Sequence, residues 1–194
     1  MGAVCRKARR TMVDQGRMPA STHEFALRDM EFSNSEEFAL ARHQPGTTSS
    51  EYVFFPGCQL SASAPGHVER LYAQLRETLG VPVGLMLRCC GAPAEWAGRR
   101  DLFERALGDF RAAYEALGSP RVILACSTCY RMFQTYLPEI EGISLWVLLD
   151  QQGLPARDRP FDQKGIVSIH DPCTTRGERA IQDSARRILD RLGY

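Results

Sequence analysis

The chain has 194 residues, of which 44% are apolar and 24% are charged, and its formal net charge is +1. These values are ordinary for a soluble globular protein, and the near-neutral charge gives no electrostatic reason to expect nucleic acid or a membrane surface as a partner. No apolar run approaches the about 20 residues that a membrane-spanning helix requires.

The first 50 residues differ from the rest of the chain, because they are charged and contain turn-forming stretches such as HQPG and TTSS. One helix is predicted there, over residues 4–14. We expect a peripheral helix followed by a linker, with the regular part of the chain beginning at Glu51. The basic start has no apolar segment behind it, so we expect no secretory signal and a cytoplasmic protein.

From residue 51 onward, short apolar runs alternate with amphipathic stretches. Strands are predicted at YVFF (52–55), VGLML (83–87), RVILAC (121–126) and GIVSIH (165–170), and helices over 67–79, 102–117 and 179–192, with a short helix ending at Tyr136. The segment SLWVLLD (144–150) fits either a strand or a helix. Continuous apolar strands between helices predict an α/β fold with a mainly parallel sheet and helices on both faces.

Seven cysteines are the most informative count. In a reducing compartment, clustered cysteines are more often metal ligands or redox groups than disulfides. Five of them form one spaced set: Cys58, the adjacent pair Cys89 and Cys90, and the CxxC pair Cys126 and Cys129. Four of the five follow predicted strands, and the fifth lies one turn into the next helix. Because sites in parallel sheets form at the carboxyl ends of strands, we expect these sulfurs at one edge of the sheet.

The number and spacing of these cysteines bear on the kind of metal. Zinc sites and iron–sulfur clusters both use thiolate ligands, but one structural zinc ion takes four. An adjacent pair cannot easily aim both sulfurs at one small ion, whereas it can contact two irons of an extended cluster. This favours a polynuclear centre, and zinc stays open as the alternative. A third interpretation is a thiol–disulfide enzyme that uses Cys126 and Cys129.

Small residues next to the cysteines fit such a centre. Gly57, Gly91 and Ala92 would let backbone N–H groups approach the sulfurs, and those hydrogen bonds would offset negative charge at a cluster.

For most of the other residues near the motifs, we expect a structural rather than a functional role. We interpret Glu95 as a solvated loop carboxylate rather than a proton relay, and Trp96 either as a shield for the site or as an ordinary core or surface residue. His170 is expected to end a strand and to form local hydrogen bonds. The basic stretch CRKARR (5–10) is expected to be a solvated helix face, and Cys5 a lone exposed cysteine.

Three motifs together, FFPGCQLSA, CCGAP and ACSTC, resemble the CCG cysteine-rich domain. This family occurs in heterodisulfide reductase and in iron–sulfur subunits of glycolate, lactate and glycerol-3-phosphate oxidising systems. The resemblance covers residues 52–150 as one Rossmann-like repeat. The stretch SIHDPCTTRG resembles the start of a second repeat, in which Cys173 matches a first-motif cysteine.

The resemblance divides the chain into three parts. They are an amino-terminal helical and linker segment over residues 1–50, a cysteine-rich iron–sulfur domain over 51–150, and a linker with the truncated start of a second repeat over 151–194. The proline-containing connector GLPARDRP (153–160) is typical of a linker between subdomains.

The resemblance also implies a cofactor and a function. The cofactor would be a [4Fe-4S] cluster of the noncubane type. Its ligands would be the five clustered cysteines, Cys58, Cys89, Cys90, Cys126 and Cys129, with Cys173 as a secondary candidate. The chain would be an electron-transfer subunit of a heterodisulfide reductase-like oxidoreductase complex rather than a complete enzyme. Its partners would be flavin- or ferredoxin-type redox subunits, with no nucleic acid and no membrane span, although the complex could associate with a membrane. The alternative is a zinc-binding scaffold domain without redox activity.

Overall fold

The computed structural model describes residues 2–153 and 166–194, which form a five-stranded sheet with helices around it. The strands are β1 (Leu40–Arg42), β2 (Tyr52–Phe55), β3 (Val83–Leu87), β4 (Arg121–Leu124) and β5 (Gly142–Ser144). The helices are α1 (Gly2–Asp14), α2 (Glu24–Ser33), α3 (Cys58–Ser63), α4 (Pro65–Leu79), α5 (Ala92–Ala97), α6 (Arg100–Ala116), α7 (Ser127–Tyr136), α8 (Leu145–Gln152) and α9 (Arg179–Arg191). Short 3-10 helices occupy Ala20–His23 and Cys173–Thr175.

The sheet has the strand order β1-β3-β2-β4-β5. Four strands are parallel, and only the edge strand β1 runs antiparallel to its neighbour β3. Phe54 in the central strand β2 pairs with Leu85 on one side and with Ile123 on the other. The carboxyl ends of β2, β3 and β4 therefore lie side by side, and the prediction of an α/β fold with a mainly parallel sheet is confirmed.

Apolar side chains alternate between two cores, one on each face of the sheet. Val53 and Phe55 belong to the core that includes Phe110 of α6 and Phe133 of α7. Phe54, between them in β2, belongs to the other core, which α4, α8 and α9 complete. Successive residues of a strand point to opposite faces, so β2 is buried on both sides. This explains why its apolar run is continuous rather than alternating.

The structure also resolves the ambiguous segment at residues 144–150. Strand β5 ends at Ser144 and helix α8 begins at Leu145, so the segment is mainly helical. The predicted strands at YVFF, VGLML and RVILAC correspond to β2, β3 and β4, and the predicted helices correspond to α1, α4, α6, α7 and α9.

The first 50 residues contain more regular structure than the predicted helix and linker. Helix α2 and strand β1 were both missed. The three residues of β1 carry no recognisable alternation, and the strand is defined by its pairing with β3, in which Leu40 lies opposite Leu87.

The strand predicted at residues 165–170 is wrong for the part that the structure describes. Residues 166–170 have no regular structure, and Ile166, Val167 and Ile169 are exposed. An apolar run becomes a strand only where another strand can satisfy its backbone hydrogen bonds. The predicted connector GLPARDRP lies outside the described residues from residue 154 onward. Within the described residues, no helix has both the length and the apolar character needed to cross a membrane.

Candidate metal centre

Three loops at the carboxyl ends of parallel strands deliver the five clustered cysteines. Cys58 begins α3 shortly after β2, Cys89 and Cys90 follow β3, and Cys126 precedes the first residue of α7, which carries Cys129. Three of these thiols are buried and two, those of Cys58 and Cys126, are partly exposed. The structure therefore places all five at the edge of the sheet where we expected them.

The five thiols are in contact as a continuous series. Neighbouring thiols interact in the order Cys58, Cys89, Cys90, Cys129 and Cys126, and each shifts the pKa of the next. None of the seven cysteines of the chain forms a disulfide. The structure thus brings together five sulfur donors that the sequence separates by as much as 71 positions, from Cys58 to Cys129.

Gly57 makes room for this cluster of thiols. Its φ is +82°, a backbone conformation that favours glycine, and an added Cβ would lie 3.1 Å from the Cβ of Cys126 and 3.2 Å from the Sγ of Cys129. The carbonyl of Gly57 accepts a 3.0 Å hydrogen bond from the buried hydroxyl of Ser61, which fixes the turn. Any larger residue at this position would press against the CxxC pair.

Gly91 has a comparable role after the adjacent pair. Its φ is +83°, and an added Cβ would lie 3.0 Å from the ring of Phe103 and 3.2 Å from the Cβ of Ala106. The turn aims backbone N–H groups at the sulfurs, because the N–H of Gly91 bonds to Cys89 and that of Ala92 bonds to Cys90. The glycine of the CCG motif is therefore required by both backbone conformation and packing.

Helix α2 and the residues after it lie over the site, which the sequence did not indicate. The side-chain carbonyl of Asn34 accepts a 3.0 Å hydrogen bond from the backbone N–H of Cys89. The charge of Asp29 in α2 is close enough to Cys58 to help raise the pKa of that thiol. No local pattern marks Asn34 as a site residue, since its partner is 55 positions away.

The thiols of Cys58 and Cys89 favour their protonated forms. Hydrogen bonding to Cys89, followed by burial, raises the pKa of Cys58. The bond from Cys58 favours the thiolate of Cys89, but the bond to Cys90 and burial outweigh it and raise the pKa of Cys89 to about 12.

The pKa values of the remaining three thiols are shifted in opposite directions. Hydrogen bonds from Cys129 and Cys89 hold the pKa of Cys90 well below its ordinary value, although burial opposes them. Hydrogen bonds to Cys126 and Cys90 raise the pKa of Cys129. The bond from Cys129 lowers the pKa of Cys126 to about 6 against the effect of burial, with help from backbone N–H groups in the first turn of α7. The series therefore contains two stabilised thiolates, each next to protonated neighbours.

Glu95 is buried, so its interpretation as a solvated carboxylate is wrong. Arg10 donates a 2.9 Å hydrogen bond to its Oε1, Arg6 lies 3.7 Å away, and the hydroxyl of Tyr136 donates a short hydrogen bond to the same oxygen. In the described part of the chain, the other carboxylate oxygen has no hydrogen-bond partner. A buried carboxylate requires charged or hydrogen-bonding partners. Helix α1 supplies two of them, Arg6 and Arg10.

The basic stretch at residues 5–10 is therefore not simply a solvated helix face. Helix α1 packs on α5 at Gly98, where an added Cβ would lie only 2.8 Å from the backbone nitrogen of Arg10. Arg9 also donates a hydrogen bond to the backbone carbonyl of Trp96. The sequence did not predict this contact, because the arginines and Glu95 are about 85 positions apart.

Four other candidate residues lie outside the series of thiols. Cys5 on α1 is exposed, as expected, and Cys173 is exposed in the 3-10 helix Cys173–Thr175. His170 is exposed in the irregular segment before it, and Trp96 is 42% exposed on α5. The structure therefore does not add Cys173 to the five thiols.

The chemistry of the donor set, five thiols, fits a thiolate-bound cluster. Five sulfurs meet without a histidine among them, and Gly57 leaves open the space that a side chain would fill. Over residues 2–153 and 166–194, no group of three or more His, Cys, Asp or Glu side chains is arranged to hold a single metal ion.

One comparison with known proteins gives a match. Residues 52–134 match the family model described as CCG, a cysteine-rich domain. The matched segment runs from the start of β2 into α7 and includes all five clustered cysteines. No curated protein and no solved structure gives a significant match to the chain.

Proposed function

We propose that this protein is the iron–sulfur electron-transfer subunit of a heterodisulfide reductase-like oxidoreductase complex. The proposal starts from the match of residues 52–134 to the CCG cysteine-rich domain. One observation carries the proposal: five thiols from three loops are in contact at one edge of a parallel sheet. Five sulfurs exceed the four that a structural zinc ion uses, and iron–sulfur clusters are held by thiolates. The family is often linked to iron–sulfur oxidoreductases.

The five cysteines would hold a [4Fe-4S] cluster, for which we propose the noncubane type. When bound, such a cluster supplies one-electron transfer. Two features of the described residues favour binding of such a cluster. The pKa values of Cys90 and Cys126 are already lowered, and metal ligation requires thiolates. Backbone N–H groups directed at Cys89 and Cys90 would offset the negative charge that thiolates bring.

Exposure indicates the side from which a redox partner would approach. Cys58 and Cys126 are the partly exposed members of the five, whereas Cys89, Cys90 and Cys129 are buried. We infer that a flavin- or ferredoxin-type subunit docks where Cys58 and Cys126 reach the surface. The buried three would face the protein, where water is excluded. A cytoplasmic location and a Rossmann-like arrangement of β2, β3 and β4, with connecting helices on both faces of the sheet, belong to the same proposal.

The test is the metal content of protein purified without oxygen. We expect a brown protein with iron and acid-labile sulfide in near-equal amounts, and an electron paramagnetic resonance signal in the reduced or oxidised state. A colourless protein with stoichiometric zinc would support the scaffold alternative instead. A metal-free protein in which Cys126 and Cys129 form a reversible disulfide would support the thiol–disulfide enzyme.

Serine variants test the ligand assignment. We expect Cys90→Ser to lose most of the iron, because this thiol contacts both Cys89 and Cys129 in the buried part of the site. Cys5→Ser is the matched control, since Cys5 is exposed on α1 and outside the series. Cys173→Ser should also keep its iron. Full iron in Cys90→Ser would show that the five-ligand assignment is wrong.

A further inference from the structure

A cleft of about 630 Å³ lies on the surface beside helix α5, and none of the five clustered cysteines lines it. Its walls come from α1, α5, α7 and the turn that follows the 3-10 helix Cys173–Thr175. Four arginines line it: Arg6, Arg9, Arg131 and Arg176. Arg6 and Arg9 belong to the basic stretch of α1, whereas Arg131 and Arg176 lie far along the chain, so the tertiary structure brings these three segments together.

The charge in this cleft is poorly balanced. Among the described residues that line it, Glu178 is the one carboxylate. Arg6 shares the carboxylate of Glu95 with Arg10, at 3.7 Å, and Arg9 donates only to a backbone carbonyl. The side chains of Arg131 and Arg176 have no hydrogen bond or ion pair with any residue in the described ranges. The cleft therefore has unpaired positive charge at Arg131 of α7 and at Arg176 of the turn after the 3-10 helix.

Helix α1 and the turn that carries Arg176 are each held in place by contacts outside the cleft. Helix α1 is fixed to α5 by the ion pairs with Glu95 and by the close backbone approach at Gly98. The turn that carries Arg176 is fixed by Gln182, whose side-chain amide donates a 2.7 Å hydrogen bond to the carbonyl of Arg176. A preorganised cleft loses less conformational freedom on binding than a flexible surface does.

We propose that this arginine cleft binds a small polyanion, a molecule of the organic phosphate or polycarboxylate class. Guanidinium groups bind phosphate and carboxylate oxygens in pairs of parallel hydrogen bonds. The volume lies within the range of small-molecule sites, and the half-exposed ring of Trp96 adds an apolar wall. We commit to a small ligand because the four arginines converge on this one volume, and an acidic peptide is the alternative that the test below separates. This proposal does not depend on which metal the cysteines hold.

Cys173 reports whether the cleft is occupied, because it lines the cleft and is exposed. The protein is purified without oxygen, with its metal in place, and alkylated with iodoacetamide at constant ionic strength. We expect pyrophosphate or citrate to slow alkylation of Cys173 several-fold and to leave alkylation of Cys5 unchanged, since Cys5 is exposed but does not line the cleft. Calorimetric titration with the same two anions gives the affinity.

Arginine variants test whether the site depends on these side chains. Arg131→Gln and Arg176→Gln should each weaken pyrophosphate binding by about tenfold, the loss expected for one hydrogen bond to a charged group. Arg105→Gln is the matched control, because Arg105 is an exposed arginine of α6 outside the cleft and the change in net charge is the same. Circular dichroism and metal content should match wild type in all three.

Three results would overturn the proposal. One is the absence of both calorimetric binding and Cys173 protection with either anion. Another is equal weakening by Arg105→Gln and Arg131→Gln, which would mean that only net charge matters. The third is tighter binding of a hexaglutamate peptide than of pyrophosphate, which would assign the cleft to an acidic protein partner. None of these results would alter the iron and sulfide content, so they leave the proposed function untouched.

Discussion

Arg10 of the first helix donates a 2.9 Å hydrogen bond to Glu95, whose side chain is 1% exposed and lies five residues beyond the cysteine pair. This bond joins the amino-terminal helix to the helix that follows the CCG motif. It also pairs a charge that would otherwise be buried alone.

Removing Arg10 should therefore destabilise the protein. We expect Arg10→Ala to lower the free energy of unfolding by about 1–3 kcal/mol, less than for a fully buried ion pair, because the side chain of Arg10 is 36% exposed and Arg6 remains near the carboxylate. Denaturant unfolding measures the change. Arg105→Ala, at an exposed position of α6, should change it by no more than about 0.5 kcal/mol. Equal effects of the two variants would contradict a role for the Glu95 pair.

Gly57→Ala should disturb the five thiols directly. The new Cβ would lie 3.1 Å from the Cβ of Cys126 and 3.2 Å from the Sγ of Cys129, and the backbone has a φ of +82°. Gly46→Ala separates the two effects, because Gly46 has a φ of +84° but nothing within 4 Å of its added Cβ. Both variants should lose about 1–3 kcal/mol of folding stability, because a side chain is strained at a positive φ. Only Gly57→Ala should also lose bound metal. Normal metal content in this variant would refute a role for Gly57 in making room for the cysteines.

Asn34 should stabilise the turn that carries the cysteine pair. Its side-chain carbonyl accepts the backbone N–H of Cys89, a buried residue, at 3.0 Å. Asn34→Ala leaves that donor unsatisfied, and we expect a loss of about 1–3 kcal/mol in the free energy of unfolding. Asn34→Asp keeps a hydrogen-bond acceptor in place and should therefore lose less of the free energy of unfolding. Amide hydrogen exchange at Cys89 checks the mechanism, since it should be faster in Asn34→Ala, and unchanged exchange would show that the bond has no protective role.

The contribution of Asp150 to folding stability, through its ion pairs with the carboxy-terminal helix α9, should depend on pH. It forms ion pairs with Arg187 and Arg191 of α9, and the hydrogen bond from Arg187 holds the pKa of Asp150 below its ordinary value of 3.8. A carboxyl whose pKa is lower in the folded state contributes stability that is full above the unfolded pKa and is lost as pH falls through the folded pKa.

We therefore expect Asp150→Asn to be less stable than wild type at pH 7. The difference should shrink below pH 3.8 and vanish once Asp150 is protonated in the folded wild type. Urea unfolding at several pH values measures it. Asp190→Asn is the matched control, because Asp190 is exposed on α9 and forms no ion pair within the described residues. A difference for Asp150→Asn that stays constant down to about pH 2 would exclude the carboxylate as its source.

The sequence by itself determined the strands β2, β3 and β4 and the place of the five cysteines. Strand and helix patterns depend on residues close together in the chain, and apolar runs such as YVFF show them directly. Parallel strands point their carboxyl ends the same way, so a cysteine after each strand must reach the same edge of the sheet. No knowledge of distant contacts was needed for that inference.

Only the tertiary structure decided the surroundings of those cysteines. Arg10 and Glu95 are 85 positions apart, and Asn34 and Cys89 are 55 apart, so neither pair leaves a local pattern. Strand β1 is defined by its pairing with β3, whereas residues 166–170 pair with no strand among the described residues. A buried carboxylate and a satisfied backbone donor depend on what packs beside them, which chain folding determines and sequence spacing does not.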